Sequence, residues 1–156
     1  KRDRGFTLIE LMIVITIIAI IAAIAIPGLL RSRMSANEAA AVGSIRTIST
    51  AEASFQSAGL RLGGVNGTTG QYSDLDTLAN PPVGPGFIDP LLGGGSKQSY
   101  TFVATPVDGD APSYTATANA STVGQTGVKS YFVDESGVIT FEGDGSVADA
   151  NSPPLT

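Results

Sequence analysis

The chain has 156 residues, a net charge of −5 and neither cysteine nor histidine. That length holds one modest domain and an additional segment, not two large domains. Without those two residue types there is no disulfide, thiolate metal site or cysteine nucleophile, and the commonest general base and zinc ligand near neutral pH are gone. Chemistry would fall to carboxylates, Lys, Tyr or Ser/Thr, so the expectation leans away from an enzyme, and nothing in the composition calls for a cofactor or metal.

Residues 6–26 form a run of 21 whose only polar members are Thr7, Glu10 and Thr16. As a helix the run is about 31 Å long, the thickness of a bilayer core. A secretory signal peptide has a shorter apolar run that ends at a small-residue cut, whereas here the cut-like Gly5 precedes the run, so the run is expected to stay with the protein. Lys1, Arg2 and Arg4 outweigh Asp3 ahead of it, which holds the amino terminus in the cytoplasm and sends the carboxyl-terminal part outward. Glu10 stands out, because a carboxylate at that depth costs a few kcal/mol. Thirteen Phe, Leu, Ile and Val residues in the run offset this. The charge still calls for a partner, and no Lys or Arg lies within a turn or two of it on the apolar side.

Lys1-Arg2-Asp3-Arg4-Gly5 followed by Phe6-Thr7-Leu8-Ile9-Glu10-Leu11 resembles the class III prepilin motif of type IV pilins and type II secretion pseudopilins. The resemblance covers about the first thirty residues. It implies cleavage between Gly5 and Phe6 by a prepilin peptidase that also methylates the new amino group of Phe6, leaving residues 1–5 out of the assembled filament. It further implies an assembly role for Phe6, Thr7 and Glu10, with the Glu10 carboxylate pairing with the Phe6 amino group of a neighbouring subunit. Physics agrees, since each charge alone would be a buried unpaired ion, so that pairing rewards correct register.

Pro27-Gly28 follows the apolar run directly, and this pair predicts a bend inside a helix that continues. In pilins the matching proline marks a stretch that bends or melts in the filament. Beyond it Met34, Val42, Ile45, Ile48, Ala51 and Phe55 recur at three- and four-residue spacing, with Arg33, Glu38, Arg46 and Glu52 interspersed as the polar face. With Gly59 and Gly63-Gly64 as stop signals, the helix is predicted over about residues 6–58.

Residues 59–97 read as a loop-dominated connection with a helical turn after Ser73. The period then changes to two, and residues 98–105, 113–119, 128–133 and 138–142 predict four antiparallel strands, with a tight hairpin at Asp134-Glu135-Ser136-Gly137. A sheet this small needs the helix stripe ending at Phe55 as its other layer. The expected class is therefore α+β, a long helix packed on a small antiparallel sheet of about four strands in residues 98–156, the ladle architecture of type IV pilins. The tail, residues 147–156, is either packed through Pro153, Pro154 and Leu155 or frayed.

Arg61, Lys97 and Lys129 face ten carboxylates between Asp74 and Asp149, a balance of −7. With no basic stripe, nucleic acid is not an expected partner of this surface. Asp134, Glu135, Glu142, Asp144 and Asp149 lack EF-hand spacing and read as solvated turns more readily than as a calcium loop. Asn66-Gly67-Thr68 and Asn119-Ala120-Ser121 are glycan acceptor patterns that also arise by chance. The aromatic cluster of Tyr100, Phe102, Tyr114, Tyr131, Phe132 and Phe141 reads as core and cross-strand packing.

The function expected from the resemblance is a major pilin. It starts in the inner membrane, meets the prepilin peptidase, an assembly platform and an ATPase, and polymerises with itself into an extracellular pilus for adhesion, motility or related surface work. The alternative is a type II secretion pseudopilin, but the calcium loop and Trp-bearing Asp-Pro motif usual there are missing, since Asp89-Pro90 has no Trp beside it. A tip subunit that binds a surface or DNA calls for a basic or aromatic exposed patch, and a membrane-tethered hydrolase for a triad.

Overall fold

The computed structural model describes residues 6–59, 62–63, 69–70, 72–107 and 113–155. It divides into two compact units, Lys1–Arg33 and Met34–Thr156.

The dominant element is helix α1, Leu8–Ser57, of 50 residues with Pro27 inside it. It starts at a capping box. Thr7 precedes the first turn, its hydroxyl accepts from the Glu10 N–H at 3.2 Å, and Glu10 Oε2 accepts from the Thr7 N–H at 3.5 Å. It ends where Gly59 turns to a φ of 64°, with its N–H donating to the Gln56 carbonyl. Inside the helix Thr16, Thr47, Thr50, Ser54 and Ser57 donate their hydroxyls to carbonyls four residues back, so these polar side chains need no outside partner.

In the second unit the C-terminal part of α1 supplies one core layer. Ala41, Ile45, Ile48, Ala51 and Phe55 are buried, and Leu78, Leu92, Tyr100, Phe102, Tyr114, Tyr131 and Val133 belong to the same cluster. The opposing layer is a five-stranded antiparallel sheet in sequential order: β3 Ser96–Lys97, β4 Tyr100–Val107, β5 Ser113–Ala120, β6 Ser130–Asp134 and β7 Thr140–Glu142. Strands β4 and β5 pair over their full length, from Tyr100 opposite Ala120 to Val107 opposite Ser113. Alternate residues of both are buried, so Tyr100, Phe102 and Ala104 share the core face with Tyr114, Ala116 and Ala118.

The α+β class with a long helix and an antiparallel sheet is as the sequence implies; the sheet has five strands, not four. The added strand β3 pairs with Tyr100 and Thr101 through a two-residue turn, Gln98-Ser99, in which both φ angles are positive, 50° and 62°. Such a turn matches strand twist but ordinarily uses Asn-Gly, so no local signal marks it. Residues 59–97 also hold a small hairpin, β1 Leu62–Gly63 with β2 Thr69–Gly70, and helices α2 Leu75–Ala79 and α3 Pro90–Gly93. Asp74 caps α2 by accepting from the Thr77 N–H, and Asp89 caps α3 by accepting from the Leu92 N–H, with Pro90 in the first turn.

Strand β4 runs through Pro106. The Phe102 N–H donates to Gly95 on the β3 side, and Pro106 shares that phase, so its missing N–H falls on an edge where β3 has already ended. The turn between β6 and β7 closes at Asp134 to Gly137, where the Gly137 N–H donates to the Asp134 carbonyl, but Val138 and Ile139 stay outside the strands, so the hairpin is longer than a tight one. The tail is packed. The Phe141 N–H donates to the Pro153 carbonyl, the Leu155 N–H donates to the Ile139 carbonyl, and Leu155 touches the core cluster. Buried Ser130 fastens the preceding segment, donating to the Ser146 carbonyl at 2.5 Å and accepting from the Ala148 N–H at 2.8 Å.

Candidate assembly site

The candidate site is the start of α1. Phe6 is 85% exposed, and the large apolar residues from Leu8 to Leu30 lie between 50% and 77% exposed. Among the described residues α1 is the one helix long and apolar enough to cross a membrane, and none of that stretch is buried. An apolar surface of this extent on a helix satisfied in its own hydrogen bonds is stable in lipid or against other helices, not in water.

Phe6, Thr7 and Glu10 come together at the first turn. The Thr7 hydroxyl and N–H lie 3.4 and 3.5 Å from Glu10 Oε2, and all of these groups are exposed. Thr7 and Glu10 are thus joined within one chain by capping through Oε2. Pro27 and Gly28 lie within the unbroken span of α1, and a Cβ placed on Gly28 would meet nothing within 4 Å. Gly5, the other half of the cleavage pair, lies outside the described residues, as does the Asn66 glycan pattern. The second pattern sits on β5, where Asn119 Oδ1 is buried with no hydrogen-bond partner among the described residues.

Three acidic residues near the carboxyl terminus, Asp134, Asp144 and Asp149, are engaged in local turns. Asp134 accepts from the Ser136 N–H and hydroxyl, Asp144 does the same for Ser146, and Asp149 accepts from the Asn151 N–H. The Ser146 hydroxyl and N–H hold the Asp144 carboxyl below the usual carboxylate range. Lys97, at 2.8 Å, does the same for Asp89.

Three residues of α1, Glu38, Asn37 and Glu52, make contacts that were not foreseen from the pattern of the sequence. Glu38 accepts from the Val128 and Lys129 N–H groups, Lys129 Nζ approaches it at 3.7 Å, and Asn37 donates to the Thr126 carbonyl. Together they tie α1 to the loop of residues 121–129. Beneath that loop Tyr100 donates to the Lys129 carbonyl, and burial, followed by the charge of Glu38, raises its phenol. Glu52 is the third and corrects the polar-face reading, because it is completely buried. The signal was present: residues 41, 45, 48, 52 and 55 advance by four and three, so Glu52 falls in phase with the core stripe.

The Prokaryotic N-terminal methylation motif matches residues 1–26. The chain is 48% identical over 54 residues to the type IV major pilin protein PilA of Myxococcus xanthus, a match that covers 35% of this chain and 24% of that protein. It is 60% identical over 38 residues to the type IV wide pilus major component PilA4 of Thermus thermophilus, covering 24% of this chain and 29% of the relative. The chain thus spans less than a third of the length of the curated relatives it matches. No solved structure matches it. Motif and relatives together show that the amino-terminal segment is similar to that of type IV major pilins.

Proposed function

We propose that this chain is a structural subunit, a major pilin, which polymerises through α1 into an extracellular type IV pilus. The observation that carries the reading is an apolar helix surface left wholly exposed in the subunit, joined to a prepilin methylation motif over residues 1–26. Both curated relatives named above are major subunits of type IV pili, and neither favours the pseudopilin alternative. In this reading a prepilin peptidase cuts between Gly5 and Phe6 and methylates Phe6. The precursor waits in the inner membrane, and the platform and ATPase machinery moves it into the filament, where sister helices replace lipid around residues 6–26. Glu10 then neutralises the Phe6 amino group of a neighbour, and Pro27-Gly28 marks the stretch of α1 that bends or melts in the filament.

The capping box sharpens the test of Glu10. Glu10→Ala removes the charge and also the cap, whereas Glu10→Gln keeps the Thr-x-x-Gln capping pattern and removes only the charge. Glu10→Gln is expected to insert in the membrane normally and to yield no sheared filaments, with mass spectrometry of wild-type filaments finding a subunit that begins at methylated Phe6. Normal filament yield from Glu10→Gln overturns the charge pairing, and filaments whose subunit retains residues 1–5 overturn the processing.

A further inference from the structure

We propose that Glu52 is a protonated latch that ties α1 to the start of α2, and that its ionisation favours release of the Ser73 end of the connecting segment. The inference concerns the second unit alone and stands whether or not the chain polymerises.

The Glu52 side chain is fully buried, and its two oxygens are treated differently. Oε2 accepts from the Ser73 N–H at 3.1 Å, while Oε1 has no hydrogen-bond partner among the described residues. Among the described residues, the groups that face it bring no positive charge. From the α2 side comes Asp74, the capping carboxylate of that helix; from β5 comes the phenol of Tyr114, which also feels Asp134; and Tyr72 packs its ring on Tyr114 at 4.9 Å between centroids. Lys97 and Lys129 are paired elsewhere, with Asp89 and Glu38.

A carboxylate in this position would be a dry charge with one amide donor and an acidic neighbour, whereas a neutral carboxyl keeps the Ser73 bond through Oε2 and carries its proton on Oε1. Burial, opposed by the Ser73 N–H and reinforced by Asp74, pushes the group up to about 8 from its ordinary 4.5. Ser73 is itself fully buried, and the helix it introduces has only five residues, so this is the element that moves when water reaches Glu52. The rest of that segment has separate fastenings, the Phe87 N–H to the Leu78 carbonyl and Gly93 set so close to Ala79 that an added Cβ would lie 2.3 Å from its Cβ.

The sign follows from proton linkage. The closed form holds the proton more tightly than any form in which Glu52 meets water, so the latch is fully effective below about pH 4.5 and is lost as pH rises through about 8. Between those limits each pH unit weakens it by about tenfold.

Hydrogen exchange of the full chain in detergent micelles, corrected for intrinsic exchange rates, tests this between pH 5 and 9. Protection of the Ser73, Thr77 and Leu78 amides is expected to fall by about tenfold per pH unit from roughly pH 5.5 to 7.5 and to level off above 8. Glu52→Gln keeps an acceptor for Ser73 and cannot ionise, so its profile is expected to be flat. Unchanging protection in the wild type, or the same decline in Glu52→Gln, overturns the latch. If Glu52→Gln does not fold, the carboxyl carbon shift of Glu52 in the wild type decides: a midpoint near 8 upholds the proposal, and a midpoint near 4.5 defeats it.

Discussion

Ile17 and Ile48 are the same residue on the same helix, yet Ile17 is 52% exposed and Ile48 is completely buried. The first belongs to the unit Lys1–Arg33, whose apolar residues meet no core of their own; the second belongs to Met34–Thr156, a Gly-, Ser- and Thr-rich unit that closes a core around it. The contrast teaches that hydrophobicity alone does not say what a residue is for. A continuous apolar surface calls for an outside partner, whereas an apolar stripe at three- and four-residue spacing finds its partner within the chain.

The sharpest way to break this comparison is a matched pair of truncations. Ile48→Ala is expected to destabilise the second unit by about 2 to 5 kcal/mol, the range for a buried large-to-small change. Ile17→Ala is expected to leave that unit unchanged while weakening the filaments proposed above. All four tyrosines lie in the second unit and there is no tryptophan, so the tyrosine band of the near-ultraviolet circular dichroism spectrum reports on that unit during denaturation. Equal losses from the two variants would end the distinction.

A smaller effect sharpens the boundary between the two regimes. Glu38 lies close to the start of the second unit and is the first carboxylate there with long-range partners, at the Val128 and Lys129 N–H groups. Glu38→Ala is expected to cost about 1 to 3 kcal/mol by leaving two partly buried donors unmet. The same denaturation measurement checks it, and hydrogen exchange should show the loss concentrated in residues 121–129.

Substitution at the β3 to β4 turn carries the opposite sign. Ser99 holds a φ of 62°, which glycine adopts without a steric penalty. Ser99→Gly is expected to stabilise the unit by about 1 kcal/mol, read as a raised denaturation midpoint. The smallest expected effect is that of Lys97→Ala, which removes a partly exposed ion pair with Asp89. The cost should stay below about 1 kcal/mol and shrink with added salt.

These sites also show what the sequence made legible. Helix α1 could be read because its signals are local: a long apolar run, then an amphipathic stripe and glycines after Phe55. The long strands β4 and β5 could be read from their period of two. Strand β3 could not, since Gln98 and Ser99 adopt positive φ without the usual Asn-Gly. The tail was undecidable because its bonds run to Ile139 and Phe141, and no local pattern encodes a pairing made across the chain. Glu52 was assigned to the polar face by residue type, although its phase placed it inside. At the candidate assembly site the motif pointed to Phe6, Thr7 and Glu10, while the capping box between Thr7 and Glu10 emerged only from the fold.

The two edges of the sheet are finished in a related way. Along β7 the bonds come from Phe141 to Pro153 and from Leu155 to Ile139, so Pro154 occupies the outward phase, where it offers no N–H. On the opposite side Pro106 leaves a gap in the donors of β4 beyond β3. In the filament proposed above, subunits set side by side would face one another with interrupted rims, which would discourage the strand-to-strand zippering that turns β-rich surfaces into amyloid-like aggregates. Protection of this kind would let a crowded polymer grow along one axis without its surfaces sticking to one another.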